Sequence, residues 1–286
     1  MSRKRATLIG FSAVLMWALL AVLTIGTAPV PPLQLNAICF AIGGAIGLVW
    51  MARGAGFGAL RGVGWKVYAA GTLGLFGYHF LYFTAFRLAP YAETGLIAYL
   101  WPLFIVLLSG LLPGERLRAL HVLGALIAFA GAALILLRGG ADWQAGAVPG
   151  MALAFVCAVT WAVYSVASRR FGTVPSEAVT VYCLATAVLS LGAHLTLETT
   201  VWPGETSGWV SVALLGLGPV GLAFFTWDVG MKRGDIQILG VASYAAPLLS
   251  TLALIVSGRA EATPVLLVSA AMITGGAALA ARASLR

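Results

Sequence analysis

Few side chains in this sequence could do chemistry, and most of them are aromatic. Tyr78 and Tyr82 stand four residues apart with His79 between them. On a helix, i and i+4 share a face and i+1 lies about 100° round, so the three can point into one space. Tyr99 and Trp101 precede Pro102, and Ser243 and Tyr244 precede Pro247. A proline inside a helix removes one hydrogen bond and frees a carbonyl, here those of Ala98 and Ser243. A freed carbonyl can accept from an ammonium group. The kink can equally act as a hinge, so Pro102 and Pro247 are read as gating positions. Trp17, Trp161, Tyr164 and Trp227 complete the set. Ring faces attract an ammonium group by about 0.5–2 kcal/mol each, and they stack on apolar solutes. This is the chemistry of gripping a moderately apolar solute; core packing is the competing explanation for each ring taken singly.

Bond-breaking constellations do not assemble. Cys39, Cys157 and Cys183 lack metal or redox spacing and read as apolar fillers. His79, His121 and His194 are far apart with no HExxH pattern, so no metal site is expected. A GxSxG elbow, a Walker A loop and an acidic cluster for magnesium on a diphosphate are all missing. No enzymatic role and no cofactor are expected. The acids nearest the rings are Asp228 and Glu93, and neither falls at mid-depth of its segment. His79 is therefore read as a neutral hydrogen-bonding partner, with titration as the alternative.

The elements that must hold these residues follow from composition. Of 286 residues, 61% are apolar and only 9% charged. That is about a third of the usual charged share, too little for a soluble surface. Uncharged stretches recur at 6–52, 67–86, 94–114, 119–137, 143–168, 178–197, 206–227, 236–258 and 262–281. Most are near the roughly 20 residues that cross a bilayer as a helix. The first is twice as long and reverses at Pro29, Pro31 and Pro32. The sequence thus predicts an all-α integral membrane protein with ten transmembrane helices, at 7–25, 33–51, 67–87, 93–112, 119–137, 147–168, 177–197, 209–229, 236–257 and 264–281. With the N-terminus cytoplasmic, fourteen basic residues fall in inner loops, and only Arg87, Arg138 and Arg259 in outer ones. That bias places both termini in the cytoplasm and accounts for the net charge of +8 through membrane lipid, not nucleic acid. The first segment resembles a signal peptide in its flanks, but it is long for one and has a counterpart deeper in the chain. Trp50, Trp65, Trp143, Trp202 and Trp209 read as interface anchors.

The counterpart comes from an internal repeat. A shift of 145 residues superposes Gly71 on Gly216, Tyr82 on Trp227, Tyr99 on Tyr244, Pro102 on Pro247 and Gly131-Ala132-Ala133-Leu134 on Gly276-Ala277-Ala278-Leu279; a shift of 144 brings Trp17 onto Trp161. Five spans per unit is odd, so the second unit enters from the opposite side. The expected organisation is two inverted-topology five-helix repeats, 1–142 and 143–286, facing a solute site near the midplane.

At this point the residues resemble a family. Ala85-Phe86-Arg87-Leu88-Ala89-Pro90, Tyr99-Leu100-Trp101-Pro102-Leu103-Phe104 and Gly114-Glu115-Arg116 are similar to the signature of the drug/metabolite transporter superfamily, in its ten-helix EamA-type branch. Tyr244-Ala245-Ala246-Pro247-Leu248 and Gly275-Gly276-Ala277-Ala278-Leu279 repeat it. Glu261 departs, standing one residue out of register with Glu115. The aromatic set most resembles the bacterial aromatic amino acid exporters of that branch. The resemblance implies a secondary carrier of the bacterial inner membrane, without a nucleotide site. It would export aromatic and other apolar or neutral amino acids by alternating access, through a cavity walled by spans 1, 3, 4, 6, 8 and 9. The expected partners are the small-molecule substrate and lipid, with a monomer as the working unit. Rival readings are a proton-driven exporter of another metabolite or a hydrophobic amine, and an intramembrane enzyme acting on a lipid.

Overall fold

The computed structural model describes residues 1–54, 56–137, 140, 145–258 and 261–285. Arg138, Arg259, Arg286, Trp143 and the 142/143 boundary lie outside the described residues. All regular structure among the described residues is helical. The first span is α1 (Arg3–Trp17) and α2 (Leu20–Gly26), followed by α3 (Pro32–Arg53) and α4 (Trp65–Leu88). The fourth span is α5 (Tyr91–Ala98) and α6 (Trp101–Ser109), and then come α7 (Ala119–Leu136), α8 (Val148–Arg170) and α9 (Ala178–Leu197). The eighth joins α10 (Thr206–Leu217) to α11 (Ala223–Arg233), the ninth is α12 (Ile236–Ala242) and α13 (Ala245–Val256), and α14 (Pro264–Ser284) is the tenth. Nine of these spans are long and apolar enough to cross a membrane among the described residues. The remaining one is α4, the third span, whose Tyr78, His79 and Tyr82 lower its mean hydropathy.

The closest helix pairs are α3 with α9, α7 with α14, α4 with α8 and α1 with α11. In span numbers these are 2 with 7, 5 with 10, 3 with 6, and 8 with 1. Exchanging each span for the one five places on maps this set onto itself, as a two-fold axis in the membrane plane requires. Glycine allows the close approaches, since lipid tails supply no hydrophobic drive between helices. A Cβ on Gly10 of α1 would stand 2.8 Å from Gly230 Cα of α11. A methyl on Gly124 of α7 would run into the Gly276 carbonyl of α14.

Several spans are broken where they approach the centre. The prolines interrupt spans four and nine, with the breaks falling just before them at Tyr99–Leu100 and Ser243–Tyr244. Two interruptions differ from the continuous helices the sequence predicts. The first span breaks at Ala18–Leu19, directly after Trp17. The eighth passes through a π-turn at Gly218–Leu222, where Pro219 has no N–H to offer the regular ladder.

Both chain ends sit on one face: Arg3 pairs with Glu115 beyond α6, and Arg118 donates to the Ala283 carbonyl near the C-terminus. On the opposite face Glu198 caps α3, accepting from the N–H groups of Leu33 at 3.1 Å and Gln34 at 3.2 Å and pairing with Arg87 and His194. A carboxylate at a helix N-terminus meets the unpaired N–H groups there. Burial works against its charge, but the hydrogen bonds from His194, Leu33, Gln34 and Arg87 together hold the carboxyl below its ordinary value. A folded-state value below the unfolded one stabilises the fold at neutral pH, and the contribution disappears as pH falls through the lowered value. Thermal melts of the wild type are therefore expected to decline as pH is taken below the ordinary glutamate range. Glu198→Gln should melt lower at pH 7 and show a shallower acid decline; identical acid slopes would refute the assignment.

Candidate functional site

A cavity of about 360 Å³ lies between the broken spans, at the lower end of the roughly 300–1,000 Å³ typical of small-ligand pockets. Trp17, Tyr78, His79, Tyr82, Tyr99, Trp101 and Trp161 line it, so seven of the eleven candidate binding residues come together. No described residue on its wall carries a fixed charge. The cavity occupies the half of the bundle remote from the chain ends, reaching Thr24, Leu35 and Ser250. The second span was not expected in the wall, yet α3 contributes Leu35, Asn36 and Cys39.

The floor is a cluster of four tryptophans, 17, 101, 161 and 227, one each from spans one, four, six and eight. Every pair among them is in ring contact, from 5.1 Å between Trp17 and Trp227 to 6.3 Å between Trp161 and Trp227. Such contacts contribute about 0.5–1.5 kcal/mol each beyond area burial. Two indole N–H groups lock the cluster to the scaffold. Trp17 Nε1 donates to the Pro219 carbonyl in the π-turn at 3.0 Å, and Trp227 Nε1 to Ser165 Oγ at 3.0 Å. Trp227 is 1% exposed and lies below the cavity, not on its wall.

His79 Nδ1 is 2.7 Å from the Leu75 carbonyl. A carbonyl only accepts, so Nδ1 carries a proton, and in a neutral ring Nε2 is then the acceptor. Its ring stands edge-on to Phe40 at 5.0 Å and Phe224 at 5.8 Å. The Ala98 carbonyl, freed by Pro102, receives no hydrogen bond from the described residues and belongs to the cavity wall.

Three candidates lie elsewhere. Tyr164 faces a second cavity of about 370 Å³, between α4 and α8, that reaches Asp228 and Lys232. Those two form a buried pair at 2.8 Å, with Ser176 Oγ donating to the same carboxylate oxygen. Ser243 is fully buried, its hydroxyl donates to Leu239, and the N–H of Ala246 takes up the carbonyl that Pro247 was expected to free. Tyr244 is a clamp: its oxygen accepts from the Leu103 N–H at 3.1 Å, an N–H displaced by the kink before it. Tyr99 and Tyr244, equivalent in the repeat, thus do different things. The residues missed from sequence are chiefly Asn36, Phe40, Pro219 and Phe224. Two signals pointed to them: Asn36 is the chain's single asparagine, and Gly218-Pro219 disrupts a helix.

Known proteins match this architecture. The EamA-like transporter family aligns with residues 4–137 and again with residues 148–282. The chain belongs to the EamA-like transporter family. It is a multi-pass membrane protein and not an enzyme. The aromatic amino acid exporter YddG of Ancylobacter novellus is 56% identical to it over 283 residues, 98% of each chain. The YddG of Salmonella typhimurium is 29% identical over 275 residues, 88% of each. A solved crystal structure, 54% identical, superposes over 100% of both chains with a TM-score of 0.95.

In this EamA-family chain the face bearing the two ends is cross-linked by ion pairs. Glu115 pairs with Arg3 at 3.0 Å and with Arg169. Arg3 also reaches Asp235 at 3.2 Å, and Arg169 donates to the carbonyls of Met231 and Gly234. One network thus ties together spans one, six and eight, the loop after span four and the turn before span nine.

Proposed function

We propose that this EamA-family chain exports neutral amino acids, aromatic and other apolar ones, from the bacterial cytoplasm across the inner membrane by alternating access through the central cavity. The carrying observation is the aromatic-walled cavity without fixed charge, taken with 56% identity to a protein named as an aromatic amino acid exporter. A zwitterion brings no net charge to be desolvated, whereas a side-chain carboxylate would lose its hydration with no counter-ion in the wall. Substrate enters when the face bearing the chain ends opens, rests against the tryptophan floor, and leaves by the side toward which the cavity now extends. The fourteen-to-three bias of basic residues supports placing that first face in the cytoplasm.

The test is flux of labelled phenylalanine, tryptophan, methionine, threonine and glutamate into liposomes holding the purified protein, with and without a pH gradient. The first four are expected to move down their gradients and glutamate to stay behind. No described residue on the cavity wall is a carboxylate that could couple protons, so the pH gradient should change little. No flux of any amino acid would overturn the reading, and flux that requires the pH gradient would replace it with proton antiport.

A further inference from the structure

Resting on that amino-acid reading, we propose that Asn36 reads the substrate's ammonium group and so separates amino acids from their des-amino counterparts. Asn36 lies four residues past the start of α3, 4% exposed, on the cavity wall. Its Nδ2 donates to Ser190 Oγ on α9 at 2.7 Å. Ser190 is fully buried and is not part of the wall, so the amide nitrogen is anchored behind the cavity and Oδ1 is turned toward it. No described residue donates to that oxygen.

Three acceptors therefore look onto the space: Oδ1 of Asn36, Nε2 of His79 and the carbonyl of Ala98. An ammonium group carries three N–H donors and no acceptor, the complement of this set. The hydroxyls of Tyr78, Tyr82 and Tyr99 are on the same wall and can donate to a carboxylate. Position along the spans orders the two ends of the substrate. Asn36 stands near the face remote from the chain ends and the tryptophans stand at the floor, so the polar head points to the mouth and the ring points down. Of the three acceptors, Ala98 offers only backbone, and the His79 ring is packed against Phe40 and Phe224. Asn36 alone can be given a charge without a change of size.

Asn36→Asp replaces the amide donor with an oxygen to which the Ser190 hydroxyl can turn and donate, and it sets a negative charge against the ammonium; a charge-assisted hydrogen bond is about twice as strong as a neutral one. Wild type in liposomes is expected to carry phenylalanine but neither phenethylamine, which lacks the carboxylate, nor phenylpropionate, which lacks the ammonium. Asn36→Asp should take up phenethylamine at about ten times the background uptake that wild type shows for it. Asn36→Leu should bind phenylalanine about tenfold more weakly while binding phenylpropionate no worse. Competition against labelled phenylalanine reads both variants even where turnover is blocked. Phenylalanine handled normally by Asn36→Leu, or phenethylamine treated alike by wild type and Asn36→Asp, would overturn the assignment of Asn36 alone. A wild type that carries no amino acid would instead bring down the functional reading beneath it.

Discussion

Trp161→Ala is expected to cut phenylalanine flux by at least about tenfold, the largest loss of any single change in the cavity, because about 1.4 kcal/mol already corresponds to that factor. Trp161 is the hub of the floor. Its ring meets Trp17, Trp101, Trp227, Tyr78, Tyr164 and Phe224 at centroid distances between 5.1 and 6.3 Å. At 3% exposure it is a core side chain as well, so its removal costs about 3–5 kcal/mol where the space cannot collapse. It lines the central cavity, and its ring packs at 5.3 Å on Tyr164, which lines the second. Alanine would open the centre of the floor beneath the substrate and leave Tyr164 without its ring partner. Trp161→Phe restores a ring and should return flux to within about threefold of wild type. Flux at the wild-type rate through a well-folded alanine variant would show that the floor does not touch the substrate.

Glu115→Gln is expected to loosen the opposite face. Among the described residues Glu115 is the one carboxylate shared by Arg3 and Arg169, and the variant leaves Arg169, 17% exposed, with the carbonyls of Met231 and Gly234. Removing one member of a buried pair costs about 3–5 kcal/mol, and less here because half of Arg3 faces solvent. Even about 1.4 kcal/mol moves a two-state equilibrium tenfold. A cysteine placed at Ser165, just beneath the tryptophan floor, reports on this in a background with Cys39, Cys157 and Cys183 replaced. Its labelling from the face bearing the chain ends should quicken about tenfold when Glu115→Gln is added. An unchanged rate would mean that packing alone, and not the ion pairs, keeps that face shut.

The spans are legible in the sequence because bilayer thickness imposes one length on each, and charges, which cannot stay at depth, mark the ends. The aromatic set is legible for a related reason: tryptophans far from an interface have to face the inside of the bundle. What resists reading is anything decided across the bundle. Asn36 has meaning only beside Ser190, 154 residues away. Repeat arithmetic treats Tyr99 and Tyr244 as equals, yet the kink at Pro102 leaves the Leu103 N–H seeking an acceptor, and Tyr244 supplies it. The carbonyl expected free at Ser243 is reclaimed by a tighter turn to Ala246, which a proline rule cannot foresee. The π-turn is likewise a compromise between Pro219 and the indole of Trp17, on helices 202 residues apart.

The two-fold exchange of helix pairs also governs how the molecule comes into being. All four of the tightest pairs join an early span to a late one. A nascent chain halfway through synthesis has five helices in the bilayer with their glycine faces against lipid, waiting for mates not yet made. Gly124 cannot meet Gly276 until the tenth span has been inserted. The tightest packing is therefore completed only after both halves are in the membrane, and until then the first five spans hold together through the sparser contacts among themselves, such as α6 with α7.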